Sequence, residues 1–207
     1  MNQSLHAEWT KLRTLASTFW LLLAAAVLTV AGSAAAAAAV RCPSGGCADD
    51  PAKISLTGID LGQAVIAVLA VMAVGGEYGT GMIRLTLAAT PRRLTVLAAK
   101  AAVLTGLVLV TGVIAVFGSL LAGGLILPGH GIGPAHGYLA ISPWDGPVLR
   151  AGLGSVLYLA LIALLSVGAA TVLREAAAAI GAVLGLLYVL PIIATFAGNA
   201  FINTDEG

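Results

Sequence analysis

Five charged side chains fall in residues 77–100, EYGTGMIRLTLAATPRRLTVLAAK: Glu77, Arg84, Arg92, Arg93 and Lys100. Guanidinium groups make strong, geometrically specific bonds to carboxylates. Arg84, Arg92 and Arg93 can therefore bind acidic groups on a partner, while Ile83, Leu85 and Leu87 offer packing area. Gly79, Thr80 and Gly81 punctuate the start, residues 83–89 can form a short helix, and Pro91 ends or restarts it. Two readings stand at this point: a docking element for a protein partner, or an ordinary basic loop that sets membrane topology. Glu77 could brace the segment by pairing with one of the arginines.

Other reactive side chains are sparse. Cys42 and Cys47 flank Pro43 and a Gly45-Gly46 pair, and a small loop disulfide or two free thiols both fit that spacing. His130 and His136 lie in a different loop; two cysteines and two histidines so spaced match no familiar zinc site, so no metal is expected. Ser33, Ser119 and Ser166 have no histidine nearby in sequence, and there is no G-x-S-x-G; no catalytic residue is expected. There is no G-x-x-x-x-G-K-[ST] phosphate loop either. No basic cluster exceeds Arg92-Arg93, and nothing suggests a nucleic-acid partner.

The elements around these residues are apolar. Of 207 residues 59% are hydrophobic and only 9% charged, against about a quarter charged in soluble domains, and mean hydropathy is +1.03. Residues 14–40 and 101–127 are each 27 residues without a charge; about 20 apolar residues cross a bilayer core. A soluble enzyme is excluded, and the fold expected is an all-α, polytopic transmembrane bundle forming one domain over 1–207. Charges punctuate it into spans at 17–40, 54–75, 101–127, 151–173 and 176–198, with the polar segment 77–100 between the second and third. The last boundary rests on Arg174-Glu175, because 48 apolar residues would make a helix about 72 Å long. Pro191 should kink the fifth span. Asp60, near the start of the second, is expected at headgroup level. Gly75 and Gly79, and Gly181 and Gly185, have the spacing that lets helices approach closely; the first pair straddles a span end, and the second is either a packing site or a chance pair among 26 glycines.

Residues 4–16 carry Leu5, Trp9, Leu12 and Ala16 on one helical face, with His6, Glu8, Lys11 and Arg13 between them. This reads as an interfacial elbow helix, or else as a polar tail. With the N-terminus cytoplasmic, Lys and Arg divide seven inside to three outside, which fits the positive-inside rule.

The segment 77–100 resembles the first cytoplasmic loop of ABC-2 type transporter permeases. The matching residues are Glu77, Tyr78, Gly81, Ile83, Arg84, Thr86, Leu87, Pro91, Arg92, Arg93, Ala99 and Lys100. Glu8-Trp9-Thr10-Lys11-Leu12-Arg13, followed by Phe19-Trp20, is similar to the same family's elbow, and Leu190-Pro191 also fits. The resemblance implies a permease subunit of an exporter in a bacterial cell membrane, paired with a second permease and bound to separate cytoplasmic ATPases. ATP and magnesium would sit on those ATPases, with no cofactor in this chain, and the loop would act as the coupling helix. The family has six spans and five are read here, so a sixth is expected to be missing. Uncharged span interiors suit an amphipathic or hydrophobic cargo. The alternative is a non-transporting scaffold or a truncated permease.

Overall fold

The structure, a computed structural model, describes residues 16–40, 51–79, 93–130 and 145–196. Every element among them is helical: α1 (Ala16–Ala39), α2 (Pro51–Leu56), α3 (Ile59–Gly79), α4 (Arg93–Ile126), α5 (Gly146–Leu173) and α6 (Ala176–Leu184). A 3-10 turn (Leu127–His130) closes α4, and a π-helical turn (Gly185–Val189) carries α6 on into helical residues 190–196. Five helices are long and apolar enough to cross a membrane: Ser17–Ala39, Ala52–Gly76, Leu97–Gly129, Gly146–Leu173 and Ala176–Phe196. This marks a membrane protein. Phe19, Trp20, Val110, Ile114, Leu157 and Leu161 are among many large apolar side chains left on the outside, as lipid-facing helices require. We call the end of the bundle that bears Gly79, Arg93 and Arg174 its lower end.

Charge punctuation locates the spans but misplaces several helix ends. A charge can end the hydrocarbon without ending the hydrogen-bonded helix. Thus Glu77, Tyr78 and Gly79 belong to α3, and Arg93–Lys100 form the first turns of α4. The connection between them is residues 80–92, shorter than the expected 77–100. α5 starts at Gly146 rather than 151, with Asp145 before it and Pro147 in its first turn, where the missing N–H costs no bond. The second span is in two pieces, α2 and α3, joined through Thr57-Gly58.

The boundary at Arg174-Glu175 stands where the sequence placed it. No glycine makes this turn. Arg174 itself takes the left-handed conformation (φ 55°, ψ 14°), its N–H donating to the Ala170 carbonyl, and Glu175 is extended ahead of α6. A left-handed non-glycine residue costs about 1–2 kcal/mol. Arg174→Gly should therefore raise the thermal unfolding midpoint slightly, by about 0.5–1 kcal/mol of stability after the added chain entropy. Arg174→Val should lower it; the same melting curves check both.

The core runs through the bundle between α3, α4 and α5, where Ile66, Val71, Val74, Leu104, Val108, Val116, Leu120 and Leu159 are buried together. Ala37, Ile54 and Leu127 form a smaller cluster at the upper end. The second span is the most enclosed, 61% buried along its apolar window, and the fifth the least, 11%. Contacts below Gly58 are close. Its N–H donates to Ser33 Oγ at 3.1 Å, and a Cβ at Gly58 would lie 1.9 Å from the Thr29 carbonyl oxygen. At Gly62 it would lie 2.1 Å from Thr29 Oγ1, and at Gly123 2.1 Å from Ser55 Oγ. These glycines seat α3 on α1 and α2 on α4. At Gly181 and Gly185 a Cβ would meet nothing within 4 Å, so no close packing is made there among the described residues.

Ahead of Pro191 the helix widens instead of only bending. Proline has no N–H to give one turn back, and the Leu190 N–H reaches the Gly185 carbonyl, five residues away. Such a turn adds a residue to the helical repeat and re-aims the side chains on it.

Candidate functional site

Among the described residues, polar groups come together at two places that could serve a function. The first is the foot of the connection 80–92, the part of the expected coupling segment that the described residues reach. Lys100 enters from α4 and is 3% exposed, with its Nζ donating to the Ala73 carbonyl of α3 at 3.0 Å. The lysine thus ties together the two helices from which the connection emerges. Glu77 stands one turn beyond Ala73 on α3, and Arg93 begins α4. Gly75 closes the same end from the other side: a Cβ there would lie 2.8 Å from that of Ala176, the first residue of α6. The turn at Arg174-Glu175 therefore sits beside the root of the connection. Of the expected site residues, Glu77 and Tyr78 are placed at the end of α3 and Arg93 at the start of α4. Gly81, Ile83, Arg84, Leu85, Leu87, Pro91 and Arg92 lie outside the described residues, as do the elbow residues Leu5, Trp9 and Leu12 and the pair Cys42 and Cys47.

The second place is in the upper half, where α3, α5 and α6 meet. Tyr158 of α5 donates its hydroxyl to Gln63 Oε1 of α3 at 2.5 Å, and Gln63 is 3% exposed. Tyr188, on the π-helical turn, donates its hydroxyl to the backbone carbonyl of Asp60. Asp60 and Gln63 are three residues apart and share a face of α3, so these four residues make one polar cluster. Asp60 is exposed on the flank of the bundle. It lies in the first turn of α3, just after the Thr57-Gly58 break in the second span. The apolar span that contains it begins at Ala52.

This cluster was not expected from sequence, because its hydrogen bonds join residues 95 and 128 positions apart. The signal available was the pair of tyrosines, Tyr158 and Tyr188, one in each of the last two spans. The three serines have other work: Ser33 receives the Gly58 N–H, and Ser166 donates to the Ile162 carbonyl. The Ser119 hydroxyl is buried with no hydrogen-bond partner among the described residues. No group of three or more His, Cys, Asp or Glu side chains that could hold a metal occurs among the described residues.

No protein-family model, curated protein or solved structure matches this chain.

Proposed function

We propose that this chain is the membrane-embedded permease subunit of an ABC-2 type exporter, pairing with a second permease and driven by separate cytoplasmic ATPases that dock on residues 77–93. The observation that carries the reading is the motif segment itself, with Glu77, Tyr78, Gly81, Ile83, Arg84, Pro91, Arg92 and Arg93 at the family's spacing. Its anchorage supports it: a docking segment passes on a push only if its ends are held. Both ends here are continuous with membrane helices, and those helices are tied by Lys100 and, through Gly75, to the foot of α6. In this reading the lower end is cytoplasmic, which places Lys11, Arg13, Arg84, Arg92, Arg93, Lys100 and Arg174 inside.

The experiment is a mild-detergent pull-down of the chain from its own membranes, with co-purifying polypeptides identified. A nucleotide-binding ATPase should be recovered with the unaltered chain. It should be lost from Arg84→Glu and from the double change Arg92→Glu, Arg93→Glu, while membrane insertion persists. Reversing a charge in a carboxylate-facing contact costs about 2–5 kcal/mol, enough to remove a complex of ordinary affinity. Recovery of the chain alone, where known permease complexes hold together, would overturn the reading.

A further inference from the structure

The upper polar cluster contains one carboxyl group, that of Asp60. Among the described residues, no lysine or arginine forms an ion pair with the Asp60 carboxylate. Three helices agree on its depth. Ser33, level with Gly58, stands six residues below the end of α1 at Ala39, about 9 Å. Tyr188 stands eight residues from Phe196 and Tyr158 twelve from Gly146, or about 12 and 18 Å. With these helix ends at the membrane surfaces, all three positions lie within a hydrocarbon core about 30 Å thick. An ionised group at such depth is costly unless it meets an opposite charge or water, and carboxylates placed there mark ligand and ion paths.

The surroundings favour one kind of partner. A single carboxylate balances one positive charge. Calcium and magnesium call for six or more oxygen ligands or an octahedral shell, which one aspartate, one glutamine and two phenols do not build. The aromatic faces of Tyr158 and Tyr188 attract diffuse cations. Leu161, one turn from Tyr158, is exposed and offers apolar contact. We propose that Asp60, Gln63, Tyr158 and Tyr188 bind the charged centre of a hydrophobic organic cation. Asp60 supplies the charge, the tyrosine rings supply cation–π contact, and the Tyr158–Gln63 bond holds one ring in place. This deepens the permease reading and rests on it for a use, since it names the class of cargo.

Binding can be measured without any ATPase. The full chain in phosphatidylcholine nanodiscs is titrated with radiolabelled tetraphenylphosphonium, subtracting empty nanodiscs. Saturable binding is expected, weakened about tenfold or more by Asp60→Asn and retained within a few-fold by Asp60→Glu. The double change Tyr158→Phe, Tyr188→Phe keeps both rings but frees them from their hydroxyl anchors, and should weaken binding about threefold. Tetraphenylborate, of the same shape and opposite charge, should show no saturable binding in a separate titration. Equal affinity in the unaltered chain and a folded Asp60→Asn variant, or no saturable binding at all, would overturn the proposal. The two readings fail separately. Binding with no ATPase in the pull-down removes the exporter and leaves the site; an ATPase with no binding removes the site and leaves the exporter.

Discussion

A single methyl group at Gly58 should force the first two spans apart. In Gly58→Ala the new Cβ would stand 1.9 Å from the Thr29 carbonyl oxygen and 2.6 Å from both the backbone nitrogen and Oγ of Ser33. Two of these atoms are backbone, so no side-chain rotation makes room; α1 must move away as a whole. That movement breaks the Gly58 N–H bond to Ser33 and opens the layer in which Gly62 lies against Thr29. Overpacking of this kind costs about 3 kcal/mol or more, a fall of roughly 10 °C in the unfolding midpoint of a chain this size. Gly181→Ala is the matched control. Its Cβ would enter open space, and alanine is favoured over glycine in a helix by about 0.5–1 kcal/mol, so the midpoint should hold or rise. Thermal unfolding of both variants in one detergent, followed by loss of monodispersity, checks the pair; equal midpoints would contradict the packing.

Reversing the charge at Lys100 should release the foot of α4 from α3. The ammonium donates to the Ala73 carbonyl from a site that is 3% exposed. In Lys100→Glu a carboxylate would face that carbonyl oxygen, acceptor against acceptor, without water to separate them. Leaving a buried charge without its proper partner costs about 3–5 kcal/mol. Lys100→Met keeps most of the apolar stem and removes the charge, so its cost should be nearer 1.5–3 kcal/mol, about the usual worth of a hydrogen bond to a charged group. Limited proteolysis reports on the connection directly. Cleavage within 80–92 should speed up markedly in Lys100→Glu and only modestly in Lys100→Met, with the order Glu, Met, Lys repeated in the melting curves. If the ATPase docks on this segment, its recovery should follow the same order.

How far these features could be read from the chain depends on the range of the interactions behind them. Hydrophobic length is local, so five spans and even the turn at Arg174-Glu175 were legible from where charges interrupt apolar runs. Helix ends were not, because Glu77 and Lys100 leave the apolar run without leaving the helix. Pro191 signalled a distortion through its missing N–H, yet the π-helical form it takes also involves Gly185. Spacing between glycines was a poor guide. The pair at Gly181 and Gly185 faces open space, whereas Gly58 and Gly62, equally spaced, carry the tight contact with α1; what separates them is the neighbouring helix. Asp60 was visible as the only acid within a span, but its depth depends on α2 preceding it. Its company, Gln63, Tyr158 and Tyr188, depends on three helices converging.

The thin burial of the fifth span bears on how the molecule is made. Its apolar window is 11% buried, and among the described residues every side chain from Val189 to Phe196 is exposed. It is also the last of the five to leave the ribosome. Most of the packing among α1 to α5 is made without it, and it adds only a few buried side chains, such as Ala179 and Val183. It then docks onto a surface already in place, fastened at its foot by Ala176 against Gly75 and higher up by Tyr188 on Asp60. The polar cluster, which draws Tyr188 from this span, is therefore complete only once the fifth span has docked.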